Sequence, residues 1–232
     1  MRGLRLVLAV TGTALLVVVA LGILSRSNLF HVRRIQVSGA SHLSRADVVH
    51  LSGLSVRTNV LWADTAAAAR RLEDEPWVAQ ASVTRDLPFT IRIQITERTP
   101  VAVVQDRNRP LLIAGDGITL GVAPARTGLP MIEVPPRPAL SGPAPGLSGP
   151  AKVLGALAPG IRAQVRRVVL GIDGTVRLAL AGGVSVDYGW PEQLVEKART
   201  LAAVMSWARG QAATLRAVSL VAPHAPAASF AG

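Results

Sequence analysis

Residues 82–104 have the sequence SVTRDLPFTIRIQITERTPVAVV, which contains the most regular pattern in the chain. Between residues 91 and 95, isoleucines alternate with polar residues, and this period of two predicts a β-strand with one buried face. Residues 77–85 predict a preceding strand, and the Leu-Pro-Phe segment at 87–89 predicts the turn between the two. The stretch therefore predicts a β-hairpin.

A strand and two helices are predicted upstream of this hairpin. Residues 30–40, FHVRRIQVSGA, alternate apolar and polar side chains and end in a Ser-Gly turn. Ser44 and Asp47 have the spacing of a capping box and predict the start of a short helix. Asp64 predicts the start of a second helix, which Pro76 ends. The order of elements is therefore β-α-α-β-β.

This ordered series resembles the polypeptide-transport-associated (POTRA) domain of the FtsQ/DivIB family of bacterial cell division proteins. The hairpin residues that carry the resemblance are Arg85, Pro88, Thr90, Ile93, Glu97, Arg98, Pro100 and Ala102. The strand at residues 30–40 and the segment DTAAAARRLEDEPWV at residues 64–78 look like the same domain. The resemblance implies a POTRA domain over residues 30–99.

A long apolar segment near the N-terminus predicts a single transmembrane helix. Residues 6–24 contain no charged side chain and are flanked by Arg5 and Arg26. At a helical rise of about 1.5 Å per residue, they span roughly the 30 Å hydrocarbon core of a bilayer. Residues 1–5 are too few to form a domain, so we expect them in the cytoplasm and the later residues outside. A signal peptide cleaved near residues 20–22 is the alternative, but its apolar region is usually about 7–15 residues long.

The second half of the chain is dominated by short strands. They are predicted at residues 101–105, 110–114, 118–122, 129–134, 165–170, 176–180, 184–187 and 215–221, with a short helix at 151–157. Residues 135–150, PPRPALSGPAPGLSGP, are dense in Pro, Gly and Ser and predict a flexible loop inside one domain. The Ala/Pro-rich residues 223–232 predict a mobile tail.

One amphipathic helix is predicted to lie on the sheet of this half. It starts near Pro191, and its apolar residues recur at steps of four, three and four: Leu194, Ala198, Leu201 and Met205. Residues 100–222 are similar to the β domain that follows POTRA in the FtsQ/DivIB family, where a lysine at the position of Lys197 lies on such a helix. The predicted fold class is α+β, with a mixed, mostly antiparallel β domain and a packed C-terminal helix.

Composition and motifs argue against several classes of function. The net charge is +11, but the arginines are scattered and only one tyrosine and three phenylalanines could stack on bases, which disfavours nucleic-acid binding. The absence of cysteine excludes disulfides and thiol chemistry. No catalytic or phosphate-binding motif is found, and the four histidines lack metal-ligand spacing. We expect no enzyme activity, cofactor or metal. The acidic run Glu73-Asp74-Glu75 and the pair Asp187/Glu192 are interpreted as helix-end or turn carboxylates.

The resemblance implies a non-enzymatic scaffold of the division machinery in the bacterial cytoplasmic membrane, expected at the septum. It would link early and late division proteins and help to control septal peptidoglycan synthesis. The implied partners are FtsB-like and FtsL-like membrane proteins and a septal synthase of the FtsW/FtsI type. The alternative is a secretion or outer-membrane assembly factor that binds unfolded polypeptide by strand addition.

Six residues are predicted to contact partners. Residues 215–221 are expected to form an exposed sheet edge that accepts a partner strand, represented by Ala217, Ser219 and Leu220. Tyr188 and Trp190, at the turn that follows the strand at 184–187, are two further predicted contacts, and Trp190 is expected to be exposed. Arg98 is expected either to form an ion pair or turn contact where the hairpin ends, or to belong to a docking surface.

Overall fold

The structure is a computed structural model that describes residues 2–106, 109–134, 146–211 and 213–230, with side chains from Thr11 onward except at Asn28. The chain divides into two compact units, Met1–Arg98 and Thr99–Gly232. The first begins with helix α1, Arg2–Ser25. Among the residues whose side chains are described, which in α1 begin at Thr11, no helix combines the length and apolar character needed to cross a membrane.

The rest of the first unit has the predicted β-α-α-β-β order. Its elements are β1 (Arg34–Ser38), α2 (Arg45–Ser52), α3 (Thr65–Glu73), β2 (Val78–Asp86) and β3 (Thr90–Glu97). The strands form a sheet of order β1-β3-β2, in which β1 is parallel and β2 antiparallel to β3. The order of elements along the chain is the one that the POTRA resemblance implies, and the sheet order adds to it.

Local sequence signals define the ends of these elements. The capping box at α2 is present, since the Ser44 hydroxyl accepts from the Asp47 amide and the Asp47 carboxylate accepts from the Ser44 amide. Asp64 caps α3 by accepting from the amide of Ala67. The turn after β1 needs Gly39, which has φ +83° and leaves no room for a Cβ because the Ile95 carbonyl lies against it.

The core of the first unit forms where α2 and α3 cover the sheet. The isoleucines at 91, 93 and 95 are buried while the polar residues between them are exposed, as their alternation predicts. Val48 of α2 and Leu72 of α3 are completely buried against them.

The second unit is built on one nine-stranded sheet. Its strands are β4 (Pro100–Asp106), β5 (Arg109–Ala114), β6 (Thr119–Val122), β7 (Met131–Glu133), β8 (Val165–Leu170), β9 (Val176–Leu180), β10 (Ser185–Gly189), β11 (Leu215–Ser219) and β12 (Ala227–Phe230). The order is β12-β11-β10-β9-β8-β7-β4-β5-β6. Three pairings are parallel and the other five antiparallel, so the sheet is mixed and mostly antiparallel, as predicted.

Three helices complete the second unit: α4 (Ser148–Ala156), α5 (Pro159–Arg162) and α6 (Leu194–Gly210). Leu154 of α4 and Leu201 of α6 are buried in one apolar core with Val168 and Leu178 of the sheet. Helix α6 therefore packs as its apolar spacing predicts.

Two expectations differ from the structure. The residues predicted as a mobile tail contain strand β12, which pairs antiparallel with β11. Three of its four residues have small side chains and give little strand signal, and the strand forms because β11 supplies hydrogen-bond partners. The predicted loop at 135–150 ends earlier, because α4 starts at Ser148. Residues 135–145 lie outside the described residues.

Candidate partner-binding site

The turn between β10 and α6 is held by a buried tyrosine. Tyr188 is completely buried, and its hydroxyl donates to the carbonyl of Leu194 at 3.0 Å. Burial raises the pKa of this phenol to about 12. The predicted partner contact at Tyr188 is therefore wrong for its side chain, which is part of the core.

Lys197 fixes the same turn from α6. Its side chain is buried, and Nζ donates to the carbonyls of Tyr188 and Trp190, each at 2.9 Å. Desolvation lowers the pKa of this ammonium, and the negative charges of Glu192 and Asp187 oppose that effect. The acidic pair considered in the sequence thus acts on a buried cation. Because the ammonium satisfies two turn carbonyls, it ties the end of β10 to α6.

Trp190 is presented at the surface of this turn. Its side chain is 52% exposed, as expected from the sequence. A Cβ at Gly174 would lie 2.9 Å from the indole, so the ring packs closely over that glycine. The position of Trp190 is thus set by two contacts. Its ring packs on Gly174, and its carbonyl accepts a hydrogen bond from Lys197.

The structure changes the interpretation of β11. Ala217 is paired with Ser185 of β10 on one side and Ser229 of β12 on the other, so β11 is not an edge strand. Ser219 likewise pairs with Asp187 of β10 and Ala227 of β12. The side chains of Ala217 and Ser219 are half-buried. Leu220 is completely buried. The predicted edge is therefore wrong by one strand: β12 ends the sheet.

A groove of about 360 Å³ lies between β12 and α6. It is lined by apolar side chains only: Ala203, Val204, Trp207, Ala228 and Phe230. The rings of Trp207 and Phe230 meet edge to face with centroids 5.6 Å apart, and these side chains are 56% and 38% exposed. The sequence interpretation missed this pair. Its signal was Trp207 on the face of the helix opposite the buried Leu201.

The sixth candidate, Arg98, belongs to the first unit. Its Nη1 donates to the carbonyl of Pro76 at 2.9 Å and to that of Val78. The neighbouring Glu97 accepts from the Ser41 hydroxyl at 2.6 Å and from the amides of His42 and Leu43 at 2.8 and 2.9 Å. These contacts agree with the turn role considered for this position. A partner contact at Arg98 stays a prediction.

The electrostatics of Glu97 follow from those contacts. Burial works to raise the pKa of the carboxyl, but the hydrogen bonds from Ser41, Leu43 and His42 outweigh it and lower the pKa to about 2. The carboxylate is therefore fully ionised at neutral pH and fastens the loop after β1 to the end of β3.

No arrangement for metal chemistry occurs within the described part of the chain, where no three His, Asp or Glu side chains come together. Glu73, the first residue of the acidic run considered above, accepts a hydrogen bond from the amide of Ala81 at 3.1 Å. It thus covers one amide of β2, which lies at the end of the three-stranded sheet.

Comparison with known families agrees with the fold of the first unit. The family described as "POTRA domain, FtsQ-type" matches residues 30–98. The cell division protein FtsQ of Mycobacteroides abscessus is 32% identical over 205 residues, which cover 88% of this chain and 65% of that protein. FtsQ of Mycobacterium tuberculosis strain H37Rv is 33% identical over 88% of this chain and 64% of its own length. The chain thus spans slightly less than two thirds of these mycobacterial relatives.

A Streptomyces relative matches more completely. The cell division protein FtsQ of Streptomyces collinus is 31% identical over 238 aligned positions, which cover 97% of this chain and 89% of that protein. The similarity therefore extends through both units. From this match, the chain belongs to the FtsQ family of bacterial cell division proteins.

Proposed function

We propose that this protein is a non-enzymatic, membrane-anchored scaffold of the bacterial division machinery, which links early and late division proteins and helps to control septal peptidoglycan synthesis. The observation that carries the proposal is the similarity to a cell division protein along 97% of the chain. The alternative of a secretion or assembly factor has no comparable support, because the matching POTRA domain is of the FtsQ type.

The proposed anchor is the apolar segment at residues 6–24. It has no charged residue and, as a helix, it spans roughly 30 Å. Helix α1 includes the whole segment and ends at Ser25. We place residues 1–5 in the cytoplasm and both folded units outside, in the cytoplasmic membrane of the bacterium and at the septum during division.

The proposed contact surface is the β12 edge together with the groove beside it. An edge strand offers main-chain groups to a partner strand, and an apolar groove with two aromatic rings offers an anchor point for a partner side chain. Trp190, Ala217 and Ser219 are kept as proposed contacts on the same unit, the latter two with their side chains half-buried between neighbouring strands. The partners we propose are FtsB-like and FtsL-like proteins, with an FtsW/FtsI-type synthase in the same assembly.

Co-purification with these partners tests the contact surface. The full chain is co-expressed with the FtsB-like and FtsL-like proteins of its own bacterium and isolated in mild detergent. Neighbouring strand residues direct their amides to opposite sides, so one of the two variants Ala228→Pro and Ser229→Pro must remove an outward amide. We expect that variant to lose co-purification. Wild-type recovery of the partners with both variants, each showing a native circular dichroism spectrum, would refute strand addition at β12.

A further inference from the structure

We propose that the loop at residues 55–62, called here the juxtamembrane loop, lies in the lipid headgroup layer of the membrane that α1 spans. The proposal rests on the anchor described above and goes beyond it, because it gives the POTRA unit a lipid-binding surface. The partner is a bilayer surface and not a protein.

The juxtamembrane loop is fastened to the end of α1. The Asn59 side-chain amide donates to the carbonyl of Ser25 at 2.8 Å and to that of Ser27 at 3.4 Å. The guanidinium of Arg26 lies 4.7 Å from the ring centroid of Trp62. The loop therefore contacts the three residues that directly follow the apolar segment.

Main-chain bonds extend this attachment. The amide of Val60 donates to the carbonyl of Phe30 at 2.8 Å, and the amide of Val32 donates to that of Thr58 at 2.9 Å. The loop is also braced internally, since the Asn59 side chain accepts from the amide of Leu61 at 3.0 Å. Its position beside the helix exit is thus set by several bonds.

Membrane dimensions then place the loop. Ser25 follows the last apolar residue, Leu24, so its carbonyl lies at the boundary of the hydrocarbon core when residues 6–24 fill that core. The interfacial layer on each side of the core is about 5–7 Å thick. A side chain within hydrogen-bonding distance of the Ser25 carbonyl, as Asn59 is, therefore lies inside that layer.

The surface of the loop has the chemistry that this layer favours. Trp62 and Val56 of the loop are 58% and 64% exposed, and Leu29, in the helical turn that follows α1, is 60% exposed. Tryptophan is enriched at membrane–water interfaces because its ring is apolar and its N–H needs a hydrogen-bond acceptor. These three side chains would remain hydrated if the unit stood clear of the membrane.

The sequence between the end of α1 and Ala63 is basic. Residues 25–63 contain five arginines and a single carboxylate, Asp47. The arginines are Arg26, Arg33, Arg34, Arg45 and Arg57. Basic residues next to a membrane helix are attracted to anionic lipid headgroups. Both the apolar and the charged groups therefore favour the headgroup layer.

Fluorescence quenching by brominated lipids tests this placement. The full chain is reconstituted into vesicles of phosphatidylcholine and phosphatidylglycerol that carry bromine at a shallow acyl position, and tryptophan emission is recorded. We expect shallow bromine to quench the wild type. Trp62→Phe should lose most of that quenching, whereas Trp207→Phe, which removes an equally exposed indole from the second unit, should keep it.

A second variant tests whether the loss of quenching in Trp62→Phe reflects the position of the whole loop or only that one side chain. Val56→Trp in the Trp62→Phe background places an indole elsewhere on the loop, and we expect it to restore quenching. Equal quenching of the wild type and Trp62→Phe, or an unquenched indole at position 56, would overturn the proposal. Flotation of the vesicles distinguishes failure of the lipid contact from failure of the anchor. Protein that floats but is not quenched contradicts only the lipid contact. Protein that does not float contradicts the anchor, and with it the lipid contact.

Discussion

The carboxylate of Glu97 holds a loop that the sequence does not connect to it. Because the pKa in the folded state is about 2, below the ordinary value of 4.5, its contribution to stability is complete above pH 4.5 and is lost as the pH falls towards 2. We expect Glu97→Gln to lower the free energy of unfolding by about 1–2 kcal/mol at pH 7. The deficit should vanish near pH 2.

Hydrogen exchange of the His42 and Leu43 amides measures this effect in the full chain. The control is Asp86→Asn, which removes an exposed ion pair with Arg92 and should cost at most about 0.5 kcal/mol. A deficit for Glu97→Gln that stays constant from pH 7 to pH 2 would contradict the role given to ionisation.

The chain has two lysines, and their environments predict very different losses of stability on substitution. Lys197→Met removes a donor from two turn carbonyls in a buried site, so we expect a loss of about 2–4 kcal/mol in unfolding free energy. Lys152→Met alters an exposed side chain on α4 and should change it by less than about 0.5 kcal/mol. Urea unfolding in detergent, followed by near-ultraviolet circular dichroism, compares them. Equal effects would show that Lys197 does not hold the turn.

The helix caps can be predicted from sequence, whereas the contacts of Glu97 and the burial of Lys197 cannot. Ser44 and Asp64 bond to residues three positions away, so spacing alone identifies them. Glu97 binds residues more than fifty positions earlier, and that contact exists only after β1 and β3 pair. The position of Lys197 was implied by the family resemblance, but its burial required the packed helix.

Among the secondary-structure elements, the turn that ends β1 depends on a glycine. In Gly39→Ala the new Cβ would overlap the Ile95 carbonyl oxygen, and the alanine would also have to adopt the left-handed φ of +83°. We expect a cost of about 3 kcal/mol or more. Gly53→Ala, at the end of α2, has a similar φ but meets only the flexible end of Arg71, so it should cost about 1–2 kcal/mol. Thermal unfolding of both variants in detergent tests the ranking, which equal costs would contradict.

The groove beside β12 is expected to carry a disproportionate share of partner binding. Phe230→Ala removes one of its two rings, and we expect about a tenfold loss of affinity for a partner of the FtsB type. The matched control is Ile172→Ala, which truncates an exposed apolar side chain in the β8–β9 turn of the same unit. Titration of the full chain with the partner in detergent gives both affinities. A loss as large for Ile172→Ala would place the contact elsewhere.

Strand existence was easier to predict than strand order. The alternation at residues 91–95 and the turn glycines identified most strands of both units. The parallel insertion of β7 between β4 and β8, and the addition of β12 outside β11, depend on long-range pairing that no local pattern encodes. The sequence therefore predicts β11 as the sheet edge, whereas in the structure the edge is β12 and the candidate surface is β12 with the Trp207–Phe230 groove.

At the scale of the whole molecule, the resemblance of the ordered β-α-α-β-β series predicts the family, and the similarity to FtsQ proteins confirms it. The anchor, the topology and the partners stay proposals. Protease added to cells stripped of their outer wall tests the topology: we expect both folded units to be digested while an N-terminal epitope on the cytoplasmic side survives. Full protection of the two units would contradict an external location.

The most direct test of a division role is localisation of a fluorescent fusion to the cytoplasmic N-terminus in dividing cells, combined with depletion of the native protein. We predict a band at midcell, and filaments or failed septa after depletion. A uniform membrane signal together with normal septation after depletion would contradict the proposed role in division.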